Sequence, residues 1–155
     1  MKDGLGQRTY TNPPMLDEPG LIAYLETQQD VVAAYLCGSL AQHRATPRSD
    51  VDIAILLSRT PDVLAGEPDR QLQLMAEIER FADRDVDVII LNTATPTLQY
   101  QLLRTGRRLY EGDRQARIDF EVRVGQIYED LRPMHEFFEH ALLREIRETG
   151  MGGYG

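Results

Sequence analysis

Between residues 38 and 52 the chain places Gly38-Ser39, ten residues of connection, and then Asp50-Val51-Asp52. Side chains alternate faces along a strand, so Asp50 and Asp52 project the same way with Cα atoms about 6.6 Å apart. Two carboxylates at that spacing repel each other unless a cation lies between them. A small cluster of hard oxygen ligands suits Mg²⁺, which keeps several waters and takes further ligands from substrate phosphates. The pair therefore reads as half of a metal site. A third carboxylate on a neighbouring strand would complete it, and Asp85 and Asp87 both qualify by parity. Asp87 is preferred because Val86 and Val88 flank it inside an apolar run, where a buried carboxylate needs a compensating cation or hydrogen bonds. Asp85 follows Arg84 at the mouth of the strand, where water can solvate it.

Gly38-Ser39 ends an apolar run and opens a short helical stretch. Backbone N–H groups at a helix N-terminus, with the positive end of its dipole, attract phosphate. Glycine allows close backbone approach, and the serine hydroxyl adds a donor. Arg44 and Arg48, between the two halves of the motif, are candidates to neutralise phosphate oxygens. Arg48 and Ser49 complete the expected nucleotide-binding set with Gly38 and Ser39.

The elements that must position these residues are legible in the hydrophobic pattern. Residues 17–29 read as a helix, with Leu21, Ile22 and Leu25 at helical spacing. Val31 to Cys37 is a continuous apolar run, the pattern of a strand buried on both faces. Leu40 to Ala45 reads as a short helix closed by Pro47, and Val51 to Leu57 as the second strand. Residues 69–83 carry Leu74, Met75, Ile78, Phe81 and Ala82 on one stripe. A third strand follows at Val86 to Leu91, then a helix with Pro96 at its start and Gly106 just past its end, then a short strand from Arg107 to Tyr110. From Asp113 to about Glu148, Phe120, Val124, Ile127, Leu131, Met134, Phe138 and Ala141 recur at spacings of four and three, a seam of the kind that packs on another helix. Pro133 interrupts it, which predicts two helices or one kinked helix. Strands alternating with helices make the chain α/β with α+β character. The acids stand near the beginning of the second strand and the Gly38 turn at the end of the first. They can meet only if those strands are antiparallel, so the sheet is expected to be mixed. The expected organisation is a flexible leader over 1–15, a core over 16–112, C-terminal helices over 113–149 that pack on the core or on a partner, and a flexible tail over 150–155.

The bulk properties narrow the function classes. At 155 residues, 42% hydrophobic and 27% charged, the chain suits one globular domain. No run approaches the roughly 18 apolar residues of a membrane span, and the N-terminus lacks a secretory signal pattern. A single cysteine, Cys37, suits a reducing cytoplasm and a small apolar role in a buried strand. The formal net charge of −8 disfavours nucleic acid as a direct partner, since that affinity rests on Lys and Arg neutralising phosphates. A basic protein partner fits better.

The Gly-Ser…Asp-x-Asp signature resembles the DNA polymerase β-type nucleotidyltransferase superfamily, and the short chain its minimal members. The likeness extends through Leu91-Asn92-Thr93-Ala94, Gln101-Leu102-Leu103-Arg104-Thr105-Gly106, Leu109-Tyr110-Glu111 and Arg132-Pro133 onward to the MntA-type antitoxins, covering roughly residues 20–150. The resemblance implies the mixed-sheet nucleotidyltransferase fold and a HepT toxin, a HEPN ribonuclease, as partner. It also implies neutralisation by transfer of AMP from ATP to a tyrosine in that toxin's Arg-x4-His-x-Tyr motif. By the same likeness Asp50 and Asp52 hold two Mg²⁺ ions and the triphosphate, Asp87 contacts the metal nearest the attacking hydroxyl, and Gly38 and Ser39 hold phosphates. Gln42 and His43 stand where many relatives have Arg-Gly. The toxin's own motif is absent here, so the chain reads as the transferase rather than its target.

Two other readings belong to different classes. One is a transferase acting on a small molecule such as an aminoglycoside, although such enzymes carry a larger helical substrate domain. The other is a non-catalytic module that covers a toxin with its C-terminal helices, against which an intact acidic triad argues. His135 and His140 do not make a zinc site, because five-residue spacing puts them on different helix faces. His43 is read as a solvated helix residue, and Tyr10 and Tyr154 fall in the expected tails.

Overall fold

The computed structural model describes residues 10–62 and 69–149. Most of the expected leader, residues 63–68 between the second strand and the helix that follows it, and the expected tail lie outside the described residues. Four strands, β1 (Val31–Cys37), β2 (Val51–Leu57), β3 (Val86–Ile90) and β4 (Arg107–Glu111), form one sheet in the order β3-β2-β1-β4. β1 pairs antiparallel with β2 and β4, while β2 and β3 are parallel, so the sheet is mixed as its sequence demanded. The bounds of β1 and β2 coincide with the two apolar runs.

Among the described residues five α-helices flank the sheet: α1 (Glu18–Glu26), α2 (Gly38–Ala41), α3 (Arg70–Ile78), α4 (Pro96–Thr105) and α5 (Arg114–Thr149). On one face Leu21 and Leu25 of α1 and Leu74 and Ile78 of α3 pack on Val31, Leu36, Val51, Ile53, Val86 and Val88. The other face joins Tyr35, Cys37, Ala54 and Leu56 to Leu91 and to Phe120 and Val124 of α5. A bulge between Val31 and Ala33 shifts the register of β1 by one residue. That shift lets Val31, Ala34 and Leu36 share one face while Tyr35 and Cys37 serve the other.

Local chemistry sets the ends of the helices. The carboxylates of Asp17, Asp69 and Asp113 and the hydroxyl of Thr95 accept from the N–H groups of Gly20, Leu72, Ala116 and Leu98, capping α1, α3, α5 and α4. α1 is shorter than its pattern suggested because the Thr27 hydroxyl donates to the Tyr24 carbonyl at 2.6 Å and closes the last turn. α3 also ends early, passing through a 3-10 turn at Glu79–Phe81. Ala82 is then extended and bridges Leu16.

α5 is a single helix with Pro133 inside it, where the sequence left two helices or a kink. Arg132 pairs with Glu129 at 3.2 Å and Glu136 at 3.1 Å, straddling the proline, although exposed pairs of this kind contribute little. The first turns of α5 are fastened to the sheet: Arg117 donates to Glu111 at 2.6 Å and to Glu121 at 2.7 Å, and the Tyr35 hydroxyl donates to Glu121 at 2.6 Å. Beyond Val124 the seam divides. Met134, Phe137, Phe138, Leu142 and Leu143 are all exposed.

Leu74 is fully buried between α3 and the sheet. Leu74→Ala is expected to destabilise the protein by about 2–5 kcal/mol, read as a shift in the midpoint of chemical denaturation with an unchanged slope.

Candidate active site

β2 is the inner strand between β3 and β1, and its register decides what meets what. Asp52 is paired with Asp87 on the β3 side and with Cys37, the residue before Gly38, on the β1 side. One residue therefore has the third acid to its left and the Gly38 turn to its right. Laterally paired residues share a sheet face, so Asp52 and Asp87 project together, and Asp50, one residue before β2, is near enough for its charge to act on Asp52. Val51, Ile53, Val86 and Val88, which alternate with the acids, are buried on the opposite face.

Asp87 differs from expectation in one respect. It is exposed, as is Asp50, while Asp52 is half-buried. Flanking valines do not bury a strand residue, because they point to the other side of the sheet. Asp85 is exposed as well, so burial does not separate the two candidates, and the direct register with Asp52 favours Asp87. The Asp52 carboxyl is pushed above the ordinary carboxylate range, first by burial and then by the charges of Asp87 and Asp50. The three acids thus act on one another electrostatically. Among the described residues no three His, Cys, Asp or Glu side chains are gathered tightly enough to hold an ion by themselves. An open set of this kind leaves ligand positions for phosphate and water.

Gly38 has a φ of +70°, the left-handed region that favours glycine, and a Cβ built there would stand 2.5 Å from Asp52 Oδ2. The turn and the central acid are in contact, and only glycine permits it. α2 begins at Gly38 and ends at Ala41, earlier than the 40–45 stretch expected. His43 takes a φ of +55° two residues later, which stops the helix, and its side chain is exposed. Cys37 is buried, and burial lifts its thiol to about 11, in keeping with the inert packing role expected of it.

Arg48 and Ser49 lie in a tight turn leading to Asp50. The Ser49 hydroxyl accepts from the Thr46 N–H at 2.9 Å, and the Ser49 N–H donates to the Thr46 carbonyl at 3.0 Å. Ser49 is thus engaged in shaping the turn, whereas the Arg48 side chain is exposed beside the acids in sequence. One residue beside the site was not foreseen. Arg84 is buried, although its place between Asp83 and Asp85 reads in sequence as a solvated edge.

No helix among the described residues is long and apolar enough to cross a membrane. Residues 20–115 match the family model described as polymerase beta, nucleotidyltransferase. The protein adenylyltransferase MntA of Shewanella oneidensis is 32% identical over 98 residues, a stretch that covers 63% of this chain and 66% of that relative, just under two thirds of its length. A crystal structure of a toxin–antitoxin with AMP-PNP contains a chain 26% identical to this one, with a TM-score of 0.65 over 83% of this chain and 99% of that chain. A crystal structure of the toxin–antitoxin MntA–HepT gives 25% identity and a TM-score of 0.60 over 82% and 97%. The four-stranded mixed sheet with flanking helices is the fold of those structures.

The raised Asp52 carboxyl has a consequence for stability. Its native form holds a proton more tightly than the unfolded form, whose ordinary value is 3.8, so the ionised group weighs against the native state at neutral pH. That penalty fades as pH falls through the raised value and is gone below 3.8. Asp52→Asn is therefore expected to raise the thermal midpoint at pH 7 in the presence of a chelator, with a gain that disappears in acid. An unchanged or lower midpoint at pH 7 would contradict the electrostatic account. Gly38→Ala should cost about 1–3 kcal/mol from backbone strain alone, measurable by the same melts.

Proposed function

This chain belongs to the polymerase beta nucleotidyltransferase family, and from that membership we propose that it transfers AMP from ATP to a tyrosine hydroxyl of a partner protein, a HepT-like HEPN toxin, and so neutralises it. The observation that carries the reading is the position of Asp52, set between Asp87 and the Gly38 turn by the strand registers. The likeness to a protein adenylyltransferase, and to chains in toxin–antitoxin structures, one with AMP-PNP, supports the choice of nucleotide and acceptor. The reducing cytoplasm is the setting that fits the single Cys37.

The donor set fits Mg²⁺. The three groups are hard carboxylate oxygens, and the Asp52 carboxyl is raised first by burial and then by the charges of Asp87 and Asp50, which a bound cation would offset. Asp50, Asp52 and Asp87 would hold two ions, which when bound neutralise charge on the attacking and leaving oxygens. The chain's own residues account for the remaining work. Gly38 and Ser39 grip the triphosphate through backbone N–H groups and the serine hydroxyl, and Arg48 neutralises phosphate oxygen. Asp87 accepts the phenolic proton as the tyrosine oxygen bonds to the α-phosphorus. The bond from that phosphorus to its bridging oxygen breaks, and pyrophosphate leaves. Most of the acceleration comes from positioning and charge neutralisation.

The acceptor arrives on another chain, and the distal half of α5 is the surface proposed to receive it. Phe137 and Phe138 are 67% and 61% exposed there, a large apolar area for a monomer to show to water.

The deciding experiment incubates the protein with labelled ATP, Mg²⁺ and a HEPN-type toxin. Label on that protein is expected, and Asp50→Asn or Asp52→Asn should lower its rate by at least about 100-fold. Binding without label would replace the proposal with a non-catalytic antitoxin, and label on an aminoglycoside instead would make it a small-molecule transferase. Phe137→Ser with Phe138→Ser should weaken association with the partner by about tenfold or more without altering the fold, as read by calorimetry and circular dichroism. Wild-type affinity in that double variant would remove distal α5 from the interface.

A further inference from the structure

Among the described residues two arginines are buried, and their company differs. Arg117 faces two carboxylates and fastens α5. Arg84 instead gathers main-chain carbonyls from remote parts of the chain. Its Nη1 donates to the Pro47 carbonyl at 2.8 Å and its Nη2 to the Asn12 carbonyl at 2.6 Å. Its Nε lies 3.3 Å from Asp83 Oδ1, and its guanidinium sits 3.9 Å from the centre of the Tyr10 ring. A planar fork with five donors can serve all of these at once, which an ammonium cannot.

The segments joined this way matter to the site. Pro47 belongs to the 46–49 turn that delivers Asp50. Besides the bond from Arg84, the hydrogen bonds of that turn are internal, between Thr46, Arg48 and Ser49. Asp52 and Asp87 are held by the strand ladder, but Asp50 stands one residue before β2 begins and outside the paired residues. Its place depends on the turn. The stretch over residues 10–16 is stitched to the approach to β3: the Met15 N–H donates to Asp83 Oδ1 at 2.9 Å, the Asp83 N–H donates to the Met15 carbonyl at 3.2 Å, and Leu16 bridges Ala82. Arg84 connects this strap to the turn. Arg84 itself is buried and stands two residues before β3, so it bears on the site through this turn.

We propose that Arg84 is a positioning residue which, by clamping the 46–49 turn to the 10–16 strap, fixes Asp50 at the distance from Asp52 and Asp87 that metal-dependent nucleotide binding requires. The inference rests on the proposed function for its reaction, yet has a readout of its own. Groups that orient metal ligands typically affect metal affinity or activity by about 10–100-fold when lost. Arg84→Met should therefore weaken Mg²⁺ binding in the presence of a non-hydrolysable ATP analogue by about tenfold, and raise the Mg²⁺ needed for half-maximal transfer to the same extent. Arg84→Lys should recover part of the loss, and Tyr10→Ala should shift the requirement in the same direction by less. A folded Arg84→Met protein with the wild-type Mg²⁺ requirement overturns the inference, even if its melting temperature has dropped, because that pattern marks a purely structural arginine. If Arg84→Met does not fold, Arg84→Lys and Tyr10→Ala decide, and wild-type Mg²⁺ behaviour in both overturns it. Absence of label transfer by the wild-type protein would sink the functional proposal, whereas the calorimetric Mg²⁺ titration would still judge the clamp.

Discussion

Backbone hydrogen bonding holds carboxylates together here against their mutual repulsion. The β2–β3 ladder pairs Asp52 with Asp87, and the β1–β2 ladder sets the same residue against the end of β1, so these two acids cannot drift apart without breaking sheet. The apolar residues that alternate with them are what make this affordable. Val51, Ile53, Val86 and Val88 are buried under α1 and α3, and hydrophobic burial on that face keeps the strands in register while charge strains the other. A site of this type is a local sacrifice of stability, offset by the core directly behind it.

The two faces of the sheet divide the labour. One carries a continuous apolar layer under α1 and α3. The other is covered by α4 and the first turns of α5, and on that face Asp52 stands two residues before buried Ala54. The bulge in β1 permits this division, since a regular strand would have placed Val31 and Leu36 on opposite faces. The polar knot of Tyr35, Glu121, Arg117 and Glu111 then fixes where α5 crosses β1 and β4.

Much of this was legible in the residues. Apolar runs bounded by Gly38 and by Asp50 marked β1 and β2 to the residue, because strands buried on both faces leave little ambiguity of phase. The mixed sheet followed from asking how a turn at the end of one strand could meet acids at the beginning of the next. Other features were not legible, for physical reasons. The exposure of Asp87 depends on which face of β3 is covered, a tertiary fact that its valine neighbours misreport. The early end of α3 comes from pairing between Ala82 and Leu16, distant in sequence, and the short α2 from a left-handed His43. Arg84 looked like one more surface charge because its carbonyl partners, Asn12 and Pro47, carry no side-chain signal at all. Continuity of α5 through Pro133 was left open by a rule about prolines that a long helix can override.

Among the described residues β3 lies at the border of the sheet, with one side paired to β2 and no strand on the other. Such a border is a template for a foreign strand, and proteins blunt it with charge or cover. Here Gln71 of α3 donates to the Val88 carbonyl at 2.6 Å, and Asp87 projects from the same short strand. Asp87 thus also sets a charge on an otherwise valine- and isoleucine-rich margin, so drift toward an apolar residue at position 87 would expose the protein to self-association.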